Sequence, residues 1–271
     1  MDIIKNIGHN LEKVKAEKPL VHCITNYITA NDCANALLAI GASPTMANYI
    51  EEVEEVEQNS NALVLNMGTL GKDTLESMIK AGKAANKFNV PIVLDPVGVA
   101  SISHRRKCAI TLLNNVKVNV IRGNISEIKA LCGLECNSKG VDSYEVINSE
   151  HSKEIAKELS RKLNAIIAIT GEKDYISNGE RTLVIENGHK LLTKVTGTGC
   201  MTTSLIGAYI GVNKNYFIAT IAGVSSMSIA GEIAFEKLKA NEGSGTYRVN
   251  IIDALYNLHS EDFIRRSKIH E

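Results

Sequence analysis

The 271-residue chain is predicted to form an α/β fold, with a mostly parallel central sheet and helices on both faces. Short apolar runs typical of buried strands alternate with longer helical patterns along much of the chain, which is the signature of this class. The composition, 44% hydrophobic and 22% charged, is that of an ordinary globular protein. No linker-like, repeated or low-complexity segment divides the sequence, so a single domain over residues 1–271 is expected.

The first part of the chain predicts helix, strand and helix in turn. Apolar residues on one helical face predict an amphipathic helix over residues 3–14, which Pro19 ends. A buried strand is expected at 20–24, followed by a helix over 31–40 that Gly41 caps. The acidic run from 51 to 57 keeps its two valines on one side, which favours a solvated helix.

The remaining elements follow from the same alternation. Apolar runs predict buried strands at 62–65, 92–94, 116–121 and 165–169. One helix is expected after the strand at 62–65 and ends near residue 88. Further helices are expected at 105–113, 126–131, 155–163, 198–210, 217–238 and 251–258. Between 175 and 190, Asn178-Gly179 and Asn187-Gly188 are turn signals, which predict an antiparallel extension of the sheet.

Charge and cysteine content exclude several functional classes. The 30 basic and 30 acidic residues cancel, whereas a nucleic-acid binder usually has a marked basic excess. The six cysteines form no CxxC pair and are too irregularly spaced for a disulfide-stapled scaffold. Charged residues within the first few positions break the apolar run that a signal peptide requires. No uninterrupted apolar stretch reaches the roughly 18 residues of a membrane span. We expect a cytoplasmic protein with reduced cysteines that binds neither nucleic acid nor membrane.

Polar residues follow the predicted strands at the point where each strand ends. In open α/β sheets, ligands bind in the crevice outside the carboxyl ends of the strands. These side chains are therefore expected to converge on one edge, although each alone could be a turn former or a helix cap. They are Asn66, Asp95, Arg122, Asn124, Glu127 and Thr170.

Two segments are more specific. Asn124-Ile125-Ser126-Glu127 opens a predicted helix and resembles a capping box. It could instead hold Mg²⁺ beside nucleotide phosphates, with Asp95 as a second carboxylate. Thr196-Gly197-Thr198-Gly199-Cys200 precedes a long helix, and its two glycines would let backbone N–H groups approach an anion at the positive end of that helix. The alternative is a loop made tight for packing.

Six segments stand in order along the chain: Asn26, Ala42-Ser43-Pro44-Thr45-Met46, Asp95-Pro96-Val97-Gly98, Arg122-Gly123-Asn124-Ile125-Ser126-Glu127, Thr170-Gly171-Glu172-x-Asp174-Tyr175 and Thr196-Gly197-Thr198-Gly199-Cys200. Taken together, they resemble the motifs of hydroxyethylthiazole kinase, a family within the ribokinase-like superfamily. The resemblance runs from about residue 10 to 260.

The resemblance implies a role for each matching residue. Asn26 and Met46 match the thiazole pocket, with Gly197 close to the substrate. Arg122 and Thr170 match contacts to ATP, with Asn124 beside them. Asp95 and Glu127 match the acidic residues around Mg²⁺, and Cys200 matches the catalytic base.

The implied reaction is an in-line attack of the thiazole's primary alcohol on the γ-phosphorus of ATP. Such a transition state requires positioning and charge neutralisation more than covalent help. The Gly197 and Gly199 amides and Mg²⁺ would supply these, and Cys200 would accept the alcohol proton. Family resemblance also implies a homotrimer with active sites between subunits.

Three alternatives remain open from the residues. One is another ribokinase-like kinase that acts on a pyrimidine or pyridoxal alcohol. A second is the ADP- or ATP-dependent dehydratase that repairs hydrated nicotinamide nucleotides on the same fold. The third is a nucleotide-binding module without catalysis, which the joint presence of Asp95, Glu127 and Cys200 disfavours, because a binder has no need of a base.

Overall fold

The computed structural model describes residues 3–131, 133 and 149–271. Its strands are β1 (Leu20–Ile24), β2 (Ser43–Thr45), β3 (Ala62–Asn66), β4 (Ile92–Asp95), β5 (Val120–Gly123), β6 (Ile166–Ile169), β7 (Asp174–Ser177), β8 (Thr182–Ile185) and β9 (Ile269–His270). Within the described residues they form one sheet in the order β2-β1-β3-β4-β5-β6-β7-β8-β9. The first six in sequence are parallel, and β7 to β9 extend the sheet antiparallel. The carboxyl ends of six strands therefore lie at one edge.

Helices cover both faces of this sheet. They are α1 (Ile3–Glu17), α2 (Ala30–Ala39), α3 (Val53–Glu57), α4 (Lys72–Phe88), α5 (Ser103–Asn115), α6 (Ile125–Leu131), α7 (Ser149–Leu163), α8 (Thr198–Val212), α9 (Tyr216–Glu236), α10 (Ser244–Tyr256) and α11 (Ser260–Arg266), with a 3-10 helix at Lys190–Lys194. Alternate strand residues enter two separate cores: Val64 packs with α1, α2, α8, α9 and α10, whereas Leu63 and Leu65 pack with α4, α5 and α7. The predicted fold, a mostly parallel sheet between two helical layers, is confirmed.

One predicted strand is wrong in its first half. The apolar run at 116–121 was expected to be extended throughout, but α5 continues to Asn115 and the strand begins at Val120. Val116 and Val118 are nevertheless buried in the core beneath α4 and α5. The apolar pattern there reflects burial of the connection between a helix and a strand, which periodicity over six residues does not distinguish from a strand.

Besides the 3-10 helix, three short elements have no counterpart in the sequence prediction. β2 contains Pro44 and lies at the sheet edge, where a residue without an N–H donor is tolerated. β9 is two residues long and pairs with β8 at the opposite edge. α11 is seven residues long, and only Phe263 of it is buried. Elements of this length carry too few residues for a period to be recognised.

Helix α9 is apolar and long enough to cross a membrane by length and composition, despite its interspersed serines and threonines. In the structure, 83% of its apolar window is buried. It packs against α8 on one side and α10 on another. A helix surrounded by protein is hydrophobic on every face, so α9 is the central helix of its layer.

Candidate active site

The ends of β3 and β4 bring two of the expected polar residues side by side. Asn66 and Asp95 are direct partners in the parallel register, and Asn66 Nδ2 donates to Asp95 Oδ2 at 3.0 Å. Both side chains are buried. The pairing follows from the strand register: each residue is the last of its strand, so both point to the same side of the sheet edge.

Asn26, just beyond the end of β1, links this pair to the start of α8. Its Nδ2 donates to Asn66 Oδ1 at 3.1 Å and to Cys200 Sγ at 3.3 Å. Its Oδ1 accepts from the backbone N–H of Thr29 at 3.1 Å, which fixes the orientation of the amide. A continuous chain of hydrogen bonds thus runs from the partly exposed Cys200 through Asn26 and Asn66 to Asp95.

Asp95 is the most buried charged group of the site. Its Oδ2 accepts from Thr203 Oγ1 at 2.7 Å and lies 3.5 Å from Arg122 NH1. Burial raises the pKa of the Asp95 carboxyl, while the Arg122 guanidinium and the Thr203 hydroxyl oppose that rise. Glu127 adds a further upward contribution, which indicates that the two carboxylates interact. Asp95 Oδ1 is buried without a hydrogen-bond partner among the described residues.

Arg122 lies between the first turn of α8 and the end of β6. A Cβ placed on Gly199 would come within 2.6 Å of Arg122 NH1, so the guanidinium lies directly against the helix backbone. Among the described residues, two buried polar atoms here have no partner: Arg122 Nε and Thr170 Oγ1. Buried polar groups normally have a partner, and unpartnered groups that converge on one place indicate where a ligand's polar atoms fit.

Asn124 and Glu127 form a reciprocal capping interaction at the start of α6. Asn124 Oδ1 accepts from the Glu127 backbone N–H, and Glu127 Oε2 accepts from the Asn124 backbone N–H, both at 2.9 Å. Glu127 Oε1 also accepts from the Gly98 backbone N–H at 2.9 Å. The capping interpretation of this motif is therefore confirmed, and it leaves one lone pair on each Glu127 oxygen for a further ligand.

Gly197 caps α8 in a conformation that suits glycine. Its φ is +88°, and a Cβ there would lie 2.6 Å from Thr29 Cγ2. Its carbonyl accepts the first helical hydrogen bond, from the Met201 N–H at 2.8 Å. The N–H groups of the first helical turn have no intrahelical partner by construction, and they face the same sheet edge as Arg122 and Cys200.

Met46 is separate from this hydrogen-bonded group. It follows β2, whose Thr45 pairs with His22 of β1, and it packs half-buried against the core layer that contains α8. The strand order puts it at the carboxyl-end edge, on the β1 side of the site. Met46 thus lies at the same edge as Asn26 without a hydrogen bond between them.

The turn after β6 is held by Asp174 of β7. Asp174 Oδ1 accepts from the Gly171 N–H at 3.0 Å, and its Oδ2 lies 3.4 Å from Ser228 Oγ of α9. Thr170 N donates to Gly123 O at 2.9 Å, which keeps Thr170 beside the end of β5. Burial raises the pKa of Asp174 to about 7, against the opposing effects of the Gly171 N–H and Arg122.

Sequence reasoning missed Thr203 and Thr29. Thr203 lies one turn into α8 and is completely buried, yet its hydroxyl contacts Asp95 across 108 residues of chain. Thr29 orients Asn26 and lies against Gly197. A signal for the first was available: Thr202-Thr203-Ser204 is a polar run within an otherwise apolar helix.

Asp95 and Glu127 are the residues that could hold a divalent cation. Mg²⁺ prefers one or two carboxylates together with phosphate oxygens and water, rather than a complete protein cage. That preference fits two interacting carboxylates, one of them with an unpartnered oxygen. Within the described part of the chain, no group of three or more His, Cys, Asp or Glu forms a self-sufficient metal cage.

Comparison with known proteins gives three findings. The Hydroxyethylthiazole kinase family matches residues 11–261. A hydroxyethylthiazole kinase from Clostridium botulinum (strain Alaska E43 / Type E3) is 52% identical over 267 residues, which is 97% of this chain and 95% of that protein. The structure of the hydroxyethylthiazole kinase protein from Pyrococcus horikoshii OT3 superposes with a TM-score of 0.88 at 39% identity, covering 97% of this chain and 98% of the other.

A more distant structure shares the fold alone. The ADP/ATP-dependent NAD(P)H-hydrate dehydratase from Bacillus subtilis, crystallised with ATP and Mg²⁺, aligns with a TM-score of 0.60 at 12% identity over 89% of this chain. At this identity the match supports the layered architecture and the position of the sheet edge. It carries no information about the reaction.

Proposed function

The chain belongs to the hydroxyethylthiazole kinase family, and we propose that it transfers the γ-phosphoryl group of ATP to the primary hydroxyl of 4-methyl-5-(2-hydroxyethyl)thiazole. The product, the thiazole phosphate, would serve thiamine phosphate synthesis or salvage. The observation that carries the proposal is the hydrogen-bonded chain from Cys200 to Asp95, beside the glycine-rich start of α8. It joins a potential proton acceptor to a potential metal-binding carboxylate at the ligand-binding edge of the fold.

Cys200 is the proposed catalytic base. Cys200 is half-buried in the first turn of α8, and its sulfur receives a hydrogen bond from Asn26 Nδ2. The other described cysteines, Cys23, Cys33 and Cys108, are buried. Cys200 is thus the described cysteine that is not buried, and in its thiolate form it could take the proton of a substrate hydroxyl that approaches Sγ beside the Asn26 amide.

The start of α8 is the proposed site for the transferred phosphoryl group. Gly197 and Gly199 place no side chain over the backbone N–H groups of the first turn, and the helix dipole favours negative charge there. Arg122 would neutralise phosphate charge from the side of β5. Preorganised donors of this kind stabilise charge in the transition state without reorganising during the reaction.

ATP is the proposed second substrate, with its contacts on the β5–β6 side. Arg122 Nε and Thr170 Oγ1 are buried there without a hydrogen-bond partner in the described part of the chain, and Asn124 is exposed at the start of α6. Mg²⁺ would be held by Asp95 and Glu127 and would supply neutralisation of phosphate charge. Their mutual interaction and the unpartnered Asp95 Oδ1 support that assignment.

The thiazole is proposed to bind on the β1–β2 side, between Met46, Asn26 and Gly197. Met46 supplies an apolar contact, and Asn26 lies against both Cys200 and Gly68. This arrangement puts the acceptor and the nucleotide on opposite sides of the α8 start, as an in-line transfer requires.

We further propose that residues 1–271 act as one kinase domain, that the protein is cytoplasmic, and that it assembles as a homotrimer with active sites between subunits. Tyr27 and Ile28, which directly follow Asn26, are 80% and 61% exposed, and Tyr49 is 60% exposed. Apolar side chains exposed beside a substrate site are typical of surfaces that a second subunit covers.

The proposed reaction is tested by ADP release from MgATP with the thiazole alcohol as acceptor. Hydroxymethylpyrimidine and pyridoxal are run in parallel, with a blank that lacks acceptor. We expect thiazole-dependent release that is abolished by EDTA. ADP release that depends on pyridoxal or on the pyrimidine would identify that alcohol, and not the thiazole, as the substrate. No release above the blank with any acceptor would contradict kinase activity.

The role of Cys200 is tested by two variants in the same assay. Cys200→Asp keeps a proton acceptor at the start of α8 and is expected to retain activity. Cys200→Ala removes the acceptor and is expected to lower kcat by about 10² or more, the usual contribution of a general base. Equal rates in the two variants would show that Cys200 is not the catalytic base.

A further inference from the structure

The loop of residues 46–52 crosses the sheet edge next to the proposed thiazole pocket. At its start, Met46 packs with the core layer that contains α8, and after it Val53 belongs to the layer on the opposite face. Two side chains from the second layer reach the backbone of this loop. His22 Nε2 lies 2.7 Å from Ala47 O, and Lys80 Nζ donates to Ile50 O at 2.8 Å.

His22 is itself held by a buried carboxylate. Its Nδ1 lies 2.5 Å from Glu57 Oε1, and both side chains are completely buried. Burial raises the pKa of Glu57, which the hydrogen bond from His22 opposes. Glu57 Oε2 is buried with no hydrogen-bond partner among the described residues.

The geometry dictates where the protons lie. A carbonyl oxygen only accepts, so the His22 nitrogen that faces Ala47 must carry hydrogen. One more proton is shared between Nδ1 and Glu57, either as imidazolium with carboxylate or as neutral imidazole with carboxylic acid. In both forms Nε2 donates to Ala47 O. A neutral imidazole that gave its one hydrogen to a Glu57 carboxylate would instead turn a bare Nε2 lone pair toward that carbonyl, so the pair must keep the shared proton. The protonated His22–Glu57 pair thus supplies the donor that holds the loop.

Such a pair is not required for stability. An apolar pair of similar volume is often as stable as a buried ion pair or more so, whereas removal of one partner leaves a costly unpaired group. In this buried pair, His22 Nε2 contacts the backbone oxygen of Ala47, the residue after Met46. The pair therefore fits a role in positioning the loop.

We propose that His22 and Glu57 are positioning residues for thiazole recognition: they fix Ala47, and through it Met46, at the edge of the substrate pocket. Lys80 holds the far end of the same loop. This inference rests on the proposed function, because it takes Met46 as part of the thiazole pocket.

The test compares a double variant with a conservative one. His22→Phe/Glu57→Met replaces the polar pair by apolar side chains and removes the donor to Ala47. We expect the KM for the thiazole alcohol, and its Kd by calorimetry, to rise about tenfold while the KM for MgATP changes by less than twofold. Glu57→Gln can donate to the bare Nδ1 of neutral His22, which keeps the Nε2 hydrogen on Ala47, and it should stay within about threefold of the wild type.

Lys80→Met provides a second route if the double variant does not fold. Lys80 is half-buried on α4, and we expect a two- to threefold rise in the thiazole KM alone. Lys83→Met is the matched control, since Lys83 is exposed one turn further along α4, and should match the wild type.

Equal rises in the thiazole and MgATP constants, or equal losses in Glu57→Gln and the double variant, would indicate a general structural role and overturn the inference. A Met46→Ala variant separates this failure from failure of its premise. If Met46→Ala binds the thiazole normally, Met46 is not part of the thiazole pocket and the inference is wrong. Thiazole-dependent ADP release could still be observed in that case. If Met46→Ala weakens binding and the loop variants do not, the positioning role alone is overturned.

Discussion

Asp174 is the residue whose titration should be visible in the stability of the protein. Burial raises the pKa of its carboxyl from 3.8 to about 7, so the folded protein binds this proton more tightly than the unfolded chain does. The free energy of unfolding should therefore fall as pH rises from about 4 to about 7 and then become independent of this group. Each pKa unit corresponds to about 1.4 kcal/mol, so the effect amounts to several kcal/mol.

Asp174→Asn isolates this effect, because an asparagine can keep the contacts to Gly171 and Ser228 without titrating. Denaturant unfolding of both proteins at several pH values between 4.5 and 7.5 is the measurement. The stability of the wild type relative to the variant is expected to decline across this range. Parallel curves would mean that Asp174 titrates normally.

Gly197 is the position where an added methyl group is expected to lower stability and activity most. Alanine there meets both a positive φ of +88° and a Thr29 methyl group 2.6 Å from the new Cβ. Strain of this kind costs about 1–2 kcal/mol for the φ alone, and overpacking adds to it. We expect Gly197→Ala to lower Tm and to lose most activity, because the start of α8 must shift. Thermal denaturation and ADP release measure the two effects.

Gly245→Ala is the matched control for Gly197→Ala. Gly245 lies in the first turn of α10, where an added Cβ has nothing within 4 Å. Helix propensity predicts a small gain in stability there, up to about 1 kcal/mol, and no change in activity. Similar losses in the two variants would argue against a special role for the Gly197 conformation.

At the scale of elements, Glu127 joins two connections that carry site residues. It ties the β5–α6 turn, through Asn124, to the β4–α5 loop, through Gly98. Glutamine offers only one oxygen, so Glu127→Gln leaves one of the two N–H donors without an acceptor. Hydrogen bonds to a charged group contribute about 1.5–3 kcal/mol, and a loss of that order in the free energy of unfolding is expected.

The same variant should raise the Mg²⁺ concentration needed for half-maximal ADP release, because one proposed metal-binding charge is removed. Titration of Mg²⁺ at fixed ATP checks this. Glu76→Gln removes an exposed carboxylate from α4 and serves as the control. An unchanged Mg²⁺ requirement in Glu127→Gln would remove Glu127 from the metal site.

Helices α8 and α9 illustrate how burial decides the sequence pattern of an element. Both are apolar on every side because each lies between strands of the sheet and other helices. Their extent was predictable from length and composition. The contact of Thr203 with Asp95 was not, because the polar run of α8 shows where polar side chains lie along the helix but not which distant group they contact.

For the whole molecule, the testable property is assembly. Light scattering should give about three times the chain mass of 29.4 kDa if the proposed trimer forms. Ile28→Glu introduces a charge on the exposed apolar surface beside Asn26 and is expected to shift the protein toward smaller species and to weaken thiazole binding. A wild type that is monomeric and fully active would contradict both parts of this prediction.

The sequence by itself determined the α/β class, most strands and helices, and the edge at which the site residues meet, because each follows from local periodicity and from residues at strand ends. Only the tertiary structure decided which of those residues touch. Asn26 reaches Cys200 across 174 residues, and His22 reaches Glu57 across 35. Such contacts depend on how strands are ordered and how helices pack over them, which no local pattern specifies. The same reason explains the error in the first half of the run 116–121, where burial imposed an apolar pattern before the strand begins at Val120.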